Sequence, residues 1–190
     1  RKVFKNIIIL GQGPVITEIF KTLGNGSKLN VNITYLEEKE GLGTAKTLEI
    51  AKSYLTSPFL FLPCGHYFDF DVEDLLKFHL AQESIATLSV FNKTNFKWTV
   101  AAVEMDGHRI TGYEERPKKP KTYLRSTFIG IADPAIFDNI PSGAVNWSLQ
   151  ENVFPKLAEA GNMCGYLVSG NWVSVHSKKD AELVRRLISR

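Results

Sequence analysis

The chain reads as an α/β protein of three layers, α/β/α, around a mixed and mostly parallel central sheet. Three observations predict this. Short apolar runs at 6–10, 31–36 and 59–62 alternate with segments whose apolar residues recur at helical spacing. The connections between those runs are each long enough to hold a helix, which demands right-handed crossovers, parallel pairing and helices on both sheet faces. Beyond residue 84 the connections shorten and Asp106-Gly107-His108 makes a tight turn, so antiparallel strands join and the sheet becomes mixed.

The first strand, Asn-Ile-Ile-Ile-Leu at 6–10, lacks polar alternation and reads as buried. Gly11-Gln12-Gly13-Pro14 turns the chain into a helix spaced by Val15, Ile16, Ile19, Phe20 and Leu23, which Gly24-Asn25-Gly26 closes. A strand at 31–36 and a loop at 37–43 follow, then a helix at 44–55 carrying Ala45, Leu48, Ile50, Ala51, Tyr54 and Leu55. Phe59-Leu60-Phe61-Leu62 is too short for a helix and reads as a strand buried on both faces, ended by Pro63 and Gly65. Ligands collect beyond the carboxyl ends of the strands in an open parallel sheet, which puts Cys64, Gly65 and His66 where chemistry belongs. Asp71 is placed to cap the next helix, whose Leu75, Leu76, Phe78 and Leu80 face the sheet.

The second half adds strands at 84–91, 100–105 and 109–114 in a meander, and another at 127–132. Asp133-Pro134 starts a short helix, and 148–159 is a longer one. Strands at 164–168 and 172–175 precede a closing amphipathic helix that Ser177-Lys178-Lys179-Asp180 opens, with Leu183, Val184, Leu187 and Ile188 on its apolar face and Arg185, Arg186 and Arg190 near its carboxyl end. Trp98, Trp147 and Trp172 read as packing residues.

Composition sets the limits. At 190 residues, 44% apolar and 23% charged, one domain with one substantial core is expected. The apolar runs are well short of the roughly 18 residues a membrane span requires, and the start has no signal-peptide pattern, so a cytoplasmic location without membrane attachment is expected. A net charge of +3 does not argue for nucleic acid. Cys64 and Cys164 are too few for a disulfide scaffold or zinc ribbon and suit buried, reduced thiols on internal strands.

Several stretches in order resemble one family. They are Tyr35-Leu36-Glu37-Glu38 followed by Gly41-Leu42-Gly43-Thr44-Ala45, the segments 59–65 and 69–79, Glu115-Arg116-Pro117, Asp133-Pro134, and Leu149-Gln150-Glu151-Asn152-Val153-Phe154-Pro155. Together they look like the sugar-phosphate nucleotidyltransferases, whose fold is Rossmann-like. The resemblance implies joining a nucleoside triphosphate to a sugar 1-phosphate with release of pyrophosphate, magnesium and cationic side chains neutralising the charge that builds on the transferred group. It implies a nucleotide or nucleotide sugar as small-molecule partner, and a homo-oligomer or related subunit as protein partner. Residue by residue, Leu42, Gly43 and Thr44 match the loop holding the nucleobase, and Glu38 a base-reading position. Gly65 matches the glycine before the first magnesium-binding Asp, and Glu115 with Arg116 the Glu-Lys pair that holds the sugar and its phosphate.

The departures are as informative. Where the family places Asn-Gly-Asp, the chain has Cys64-Gly65-His66, and where it places the second magnesium Asp, the chain has Ser174. Imidazole and hydroxyl do not supply the negative charge a hard cation wants. The Asn-Ala-Gly of the sugar-binding strand becomes Ser126-Thr127-Phe128, with a bulky ring at the end. The strand at 6–10 already matches the family's second, so the first strand and its Gly-rich phosphate loop are expected upstream of Arg1, and Gly11-Gln12-Gly13-Pro14 does not replace them. No catalytic residue is assigned. His66 and His176 share a strand-end mouth and form a candidate pair for a softer metal, with Cys64 or Asp69 as further ligands, while a hydrogen-bonded strand-end histidine is the plainer reading of His66. Two functions stay open: a nucleotidyltransferase with a rebuilt metal site, and a non-catalytic binding or regulatory module on the same fold.

Overall fold

The structure, a computed structural model, describes residues 4–92 and 100–189. In chain order its elements are β1 (Asn6–Gly11), α1 (Gly13–Leu23), β2 (Asn32–Glu37), α2 (Thr44–Glu49), β3 (Phe59–Phe61), β4 (His66–Phe68), α3 (Val72–Leu80) and β5 (Ala86–Asn92). After these come β6 (Ala101–Asp106), β7 (Arg109–Glu114), β8 (Leu124–Ala132), α4 (Phe154–Glu159), β9 (Met163–Leu167), β10 (Trp172–Ser174) and α5 (Lys178–Ile188). The chain divides into two compact units, one of residues 1–58 with 134–154 and one of 59–133 with 155–190. Trp98 and Arg190 lie outside the described residues.

In the first unit β1 and β2 pair in parallel, from Asn6↔Asn32 to Gly11↔Glu37, with α1 packed on both and α2 on β1. The strand at 6–10 was expected to be buried, and this is corrected. None of its residues is buried, and Ile7 is 38% exposed. Among the described residues β1 pairs along one edge only, with β2, so half its backbone and much of its apolar surface are not covered within this unit. The helix expected at 44–55 ends as α2 at Glu49, and a 3₁₀ turn, Lys52–Tyr54, follows.

The second unit is built on a sheet in the order β3-β8-β5-β9-β7-β6, and β8 also pairs with β6, which closes β8, β5, β9, β7 and β6 on themselves. One long strand serves three neighbours by bending. Phe128 takes a φ of +61°, and the register with β5 shifts between Leu88 and Val90. Before the bend Ser126 and Arg125 face Ala101 and Ala102 of β6, and after it Gly130 to Ala132 face Phe61 to Phe59 of β3. The fold is mixed α/β, as expected. The mostly parallel sheet is not: among the described strands, parallel pairing is confined to β1–β2 and β5–β9. The run at 59–62 was expected to pair in parallel, and this is corrected: β3 pairs antiparallel with β8, a strand far along the chain.

Residues on the paired faces fill the closed sheet. Leu88, Val90, Val103, Ile110 and Met163 are fully enclosed. Gly165 belongs there because a Cβ would sit 2.7 Å from the Met105 terminal carbon and 3.1 Å from Val90. The expected β6–β7 hairpin forms, with Asp106 opposite Arg109 and Gly107 at φ +57° in its turn. Asp71 caps α3 as expected, its Oδ1 accepting from the Glu73 amide at 2.7 Å, but Leu80 is 64% exposed and His79 takes the buried place on that face. Leu62 is likewise 43% exposed, so the run at 59–62 is not buried along its whole length. Cys164 is buried as expected, while Cys64 is exposed because it lies in the turn between β3 and β4. Among the described residues no helix is long and apolar enough to cross a membrane.

Candidate functional site

The loop at 41–45 is knitted to the segment that carries Ser148. The Trp147 amide donates to the Leu42 carbonyl at 2.7 Å, and the Ala45 amide to the Trp147 carbonyl at 3.0 Å. Gly43 sits between them at φ +92°, and a Cβ there would lie 2.6 Å from the Trp147 carbonyl oxygen, so only glycine meets both the backbone angle and the close approach. Thr44 Oγ1 donates to Gln150 Oε1 at 2.6 Å and accepts from the Leu149 amide at 2.9 Å. Glu38 Oε1 accepts from Thr47 Oγ1 at 2.6 Å. The structure therefore brings Glu38, Leu42, Gly43 and Thr44 onto one braced loop. Gln150 and Asn152, whose Oδ1 accepts from the Ser148 amide at 2.8 Å, brace it from a π-helical turn, Leu149–Val153.

In the second unit Gly65 turns at φ +77° into β4, a strand the sequence reading did not find. β4 pairs antiparallel with β10, and the register sets His66 directly opposite Ser174. These are the two positions at which the family resemblance expects magnesium carboxylates. His66 stacks on Trp172, ring centroids 5.3 Å apart, and its Nδ1 is buried with no hydrogen-bond partner among the described residues. Burial pulls the His66 imidazole below its ordinary value of 6.5, the Cys64 and Pro63 carbonyls draw it partly back, and His176 adds to the lowering. Ser174 is buried, and its Oγ lies 2.7 Å from Nε2 of the exposed His176.

This donor set does not fit magnesium. It offers imidazole and hydroxyl where a hard cation requires oxygen anions. Asp69 is committed elsewhere: Oδ1 accepts from the Asn171 amide at 2.7 Å and Oδ2 from its side-chain Nδ2 at 2.6 Å. Among the described residues no group of three or more His, Cys, Asp or Glu side chains is placed to hold a metal ion, so the imidazole pair gains no third ligand.

Glu115 and Arg116 follow β7. The Tyr113 hydroxyl donates to Glu115 Oε2 at 3.0 Å, and Arg116 Nε lies 3.2 Å from Oε1. Ser126 pairs with Ala101, while Glu114, just before Glu115, pairs with Ala102, so Ser126 and Glu115 flank the same end of β6. Ser126 Oγ is buried without a hydrogen-bond partner among the described residues. The Phe128 ring turns to Phe61, centroids 5.5 Å apart. A cavity of about 290 Å³ on this unit is lined by Glu104, Tyr113, Glu114, Lys121 and Glu159 and by none of the predicted site residues. Sequence reasoning missed Tyr113, although Tyr-x-Glu alternation along an extended chain sets residues 113 and 115 on one face.

With this geometry in place, the class of protein follows from comparison. The sequence model of the Nucleotidyl transferase family matches residues 2–180, and the chain belongs to that family. It is 29% identical over 157 residues to mannose-1-phosphate guanyltransferase beta-B of Xenopus laevis, covering 80% of this chain and 43% of that protein. It is 30% identical over 157 residues to mannose-1-phosphate guanylyltransferase catalytic subunit beta of Danio rerio, with the same shares. The chain thus spans under half the length of these curated relatives. Its fold is similar to that of a Bacillus anthracis protein assigned as a glucose-1-phosphate thymidylyltransferase, with a TM-score of 0.84 at 18% identity over 96% of this chain and 76% of that one. It is also similar to HddC of Yersinia pseudotuberculosis complexed with GMP-PN, with a TM-score of 0.75 at 15% identity over 96% and 77%.

Proposed function

We propose that this sugar-phosphate nucleotidyltransferase-like domain binds a nucleotide or nucleotide sugar and does not carry out magnesium-dependent transfer at an ordinary rate. The observation that carries the reading is the cross-strand pair His66–Ser174. Two side chains face each other where the family resemblance expects two carboxylates, and together they bring no negative charge. Burial lowers His66 and so disfavours the charged ring that could stand in for a cation. The braced Gly43–Thr44 loop and the Glu115–Arg116 pair support retained recognition of a base and of a sugar phosphate. The names of the relatives make GTP and GDP-mannose the ligands to try first.

Metal stabilisation of a transferring phosphoryl group contributes several kcal/mol, which at about 1.4 kcal/mol per tenfold is on the order of a thousandfold in rate. The test is calorimetry with GTP and GDP-mannose in magnesium and in EDTA, beside pyrophosphate release from GTP and mannose 1-phosphate. Binding that is indifferent to EDTA, with release slower than an active relative by roughly that factor, is expected. Release at the relative's rate would overturn the reading, and so would the absence of binding to either ligand.

A further inference from the structure

We propose that Tyr113 is the positioning residue that fixes the Glu115 carboxylate for a ligand hydroxyl, and that Arg116 is the exchangeable latch a ligand phosphate draws off it. The inference rests on the reading above that Glu115 and Arg116 face the sugar and its phosphate.

The two partners of the carboxylate differ in kind. Tyr113 lies on β7 opposite the enclosed Val103, and only 9% of it is exposed. Its ring is locked by packing, so the hydroxyl that donates to Glu115 Oε2 at 3.0 Å holds a fixed direction. Burial, with Glu115 next, pushes the phenol well above its ordinary 10, so it remains a donor at every working pH. Arg116, on Oε1 at 3.2 Å, has a side chain 71% exposed against 20% for Glu115. An exposed ion pair of this kind is worth little and is readily exchanged. Arg116 also holds φ +46°, a left-handed angle that a non-glycine residue adopts at a cost, just before Pro117. That conformation turns an arginine back onto the carboxylate of the residue before it.

One oxygen is therefore pinned by a group that does not move, and the other is covered by a group that does. A ligand carrying a hydroxyl and a phosphate satisfies both, the phosphate taking the guanidinium and the hydroxyl donating to the vacated Oε1. Tyr113 sets where that oxygen points.

Y113F keeps the ring and removes the donor. Two measurements decide the role. The ¹³C chemical shift of the Glu115 side-chain carboxyl at neutral pH, identified by its loss in E115Q, is expected to move in Y113F, because the donor that polarises Oε2 is gone. A purely structural role for the ring would leave that chemical shift where it was. GDP-mannose affinity is expected to fall about five- to tenfold in Y113F, the worth of one hydrogen bond, with no further fall when E115Q is already present. Equal chemical shifts, or additive losses, overturn the proposal while leaving the functional reading intact. If wild type binds no nucleotide sugar, the functional reading falls and this proposal with it. E115Q measured alone keeps the comparison decisive should Y113F fold poorly, since loss of Glu115 must then abolish the same increment of affinity and an unchanged affinity sinks the idea.

Discussion

Two polar places in the second unit began as the same kind of thing, a carboxylate position by family resemblance, and differ in what they retain. At Glu115 the anion is present and both oxygens are engaged, one by the buried Tyr113 and one by Arg116. At His66 and Ser174 the anions are replaced, and the substitutes are absorbed into local structure: an imidazole stacked on Trp172, and a hydroxyl bonded to His176. On the proposed function, the difference makes recognition and metal chemistry separable in this architecture. A carboxylate that accepts hydrogen bonds from the protein's own donors keeps its charge without a metal, whereas carboxylates facing each other across a strand pair repel unless a cation lies between them. Where no cation lies between such positions, uncharged residues are the more stable occupants.

The largest effect should come from reversing that exchange. H66D/S174D restores two carboxylates at cross-strand positions, and magnesium titration should go from no heat to a measurable site. Pyrophosphate release should rise by on the order of a thousandfold if the rest of the machinery is intact. A double variant that folds, as judged by its thermal transition, and still binds no magnesium would show that the pair is not the missing element.

A change in the other unit probes the loop proposed to hold the base. In G43A the new Cβ meets the Trp147 carbonyl oxygen at 2.6 Å and Asn146 Oδ1 at 2.9 Å, at a φ of +92°. Positive-φ strain and a backbone overlap together should cost about 2–4 kcal/mol in chemical denaturation. Nucleotide affinity should fall with it. An unchanged denaturation midpoint would mean that the loop is less tightly knitted to Trp147 than its amide bonds indicate.

E115A probes the carboxylate from the side of stability. It removes the acceptor of the Tyr113 hydroxyl and exchanges an exposed ion pair for nothing, so the cost should be about 1–3 kcal/mol, most of it from the tyrosine. Y113F/E115A should recover much of that loss, since no buried donor is then left facing a missing acceptor. If the double variant is as unstable as the two single losses added together, the bond is not what stabilises this corner.

How much of this was legible in the sequence depends on the range of the interaction. Local chemistry read true: Asp71 and Ser177 cap their helices, and Asp106-Gly107-His108 turns the β6–β7 hairpin. Each depends on residues within a few positions of one another. The three residues of β4 are too few to carry a pattern, and they are a strand only because β10, about a hundred residues on, pairs with them. The direction of β3 was hidden for the same reason. An apolar run says that a strand is covered and not which way its neighbour runs, and the burial of β1 failed because coverage depends on what lies along both edges. On α3 Leu75 is enclosed as read, while the last position of the stripe fails, since Leu80 looks like core and His79 does not, yet His79 Nδ1 finds Thr87 Oγ1 at 2.9 Å inside. At the candidate site, residue types were legible from the resemblance, while the pairing of His66 with Ser174 and the grip of Tyr113 on Glu115 required coordinates.

The smallest expected effect concerns proton uptake at the histidine place and at His79. His66 and His79 both titrate below the ordinary 6.5 in the folded protein, each chiefly because burial disfavours the charged ring. His66 faces carbonyls of Cys64 and Pro63, which raise it, and His176, which lowers it further, while His79 faces Asp133, which raises it. A base whose pKa is depressed on folding is neutral in both states above about 6.5, so it contributes no pH dependence there. As pH falls through 6.5 the unfolded chain takes up protons first, and stability declines until the folded rings also protonate, below which these two groups add nothing more. Unfolding free energy should therefore slope downward just below pH 6.5, and H66Q/H79Q should flatten that part of the curve. A slope that survives H66Q/H79Q would place the proton uptake elsewhere and remove the support for a neutral His66 in the metal-free reading.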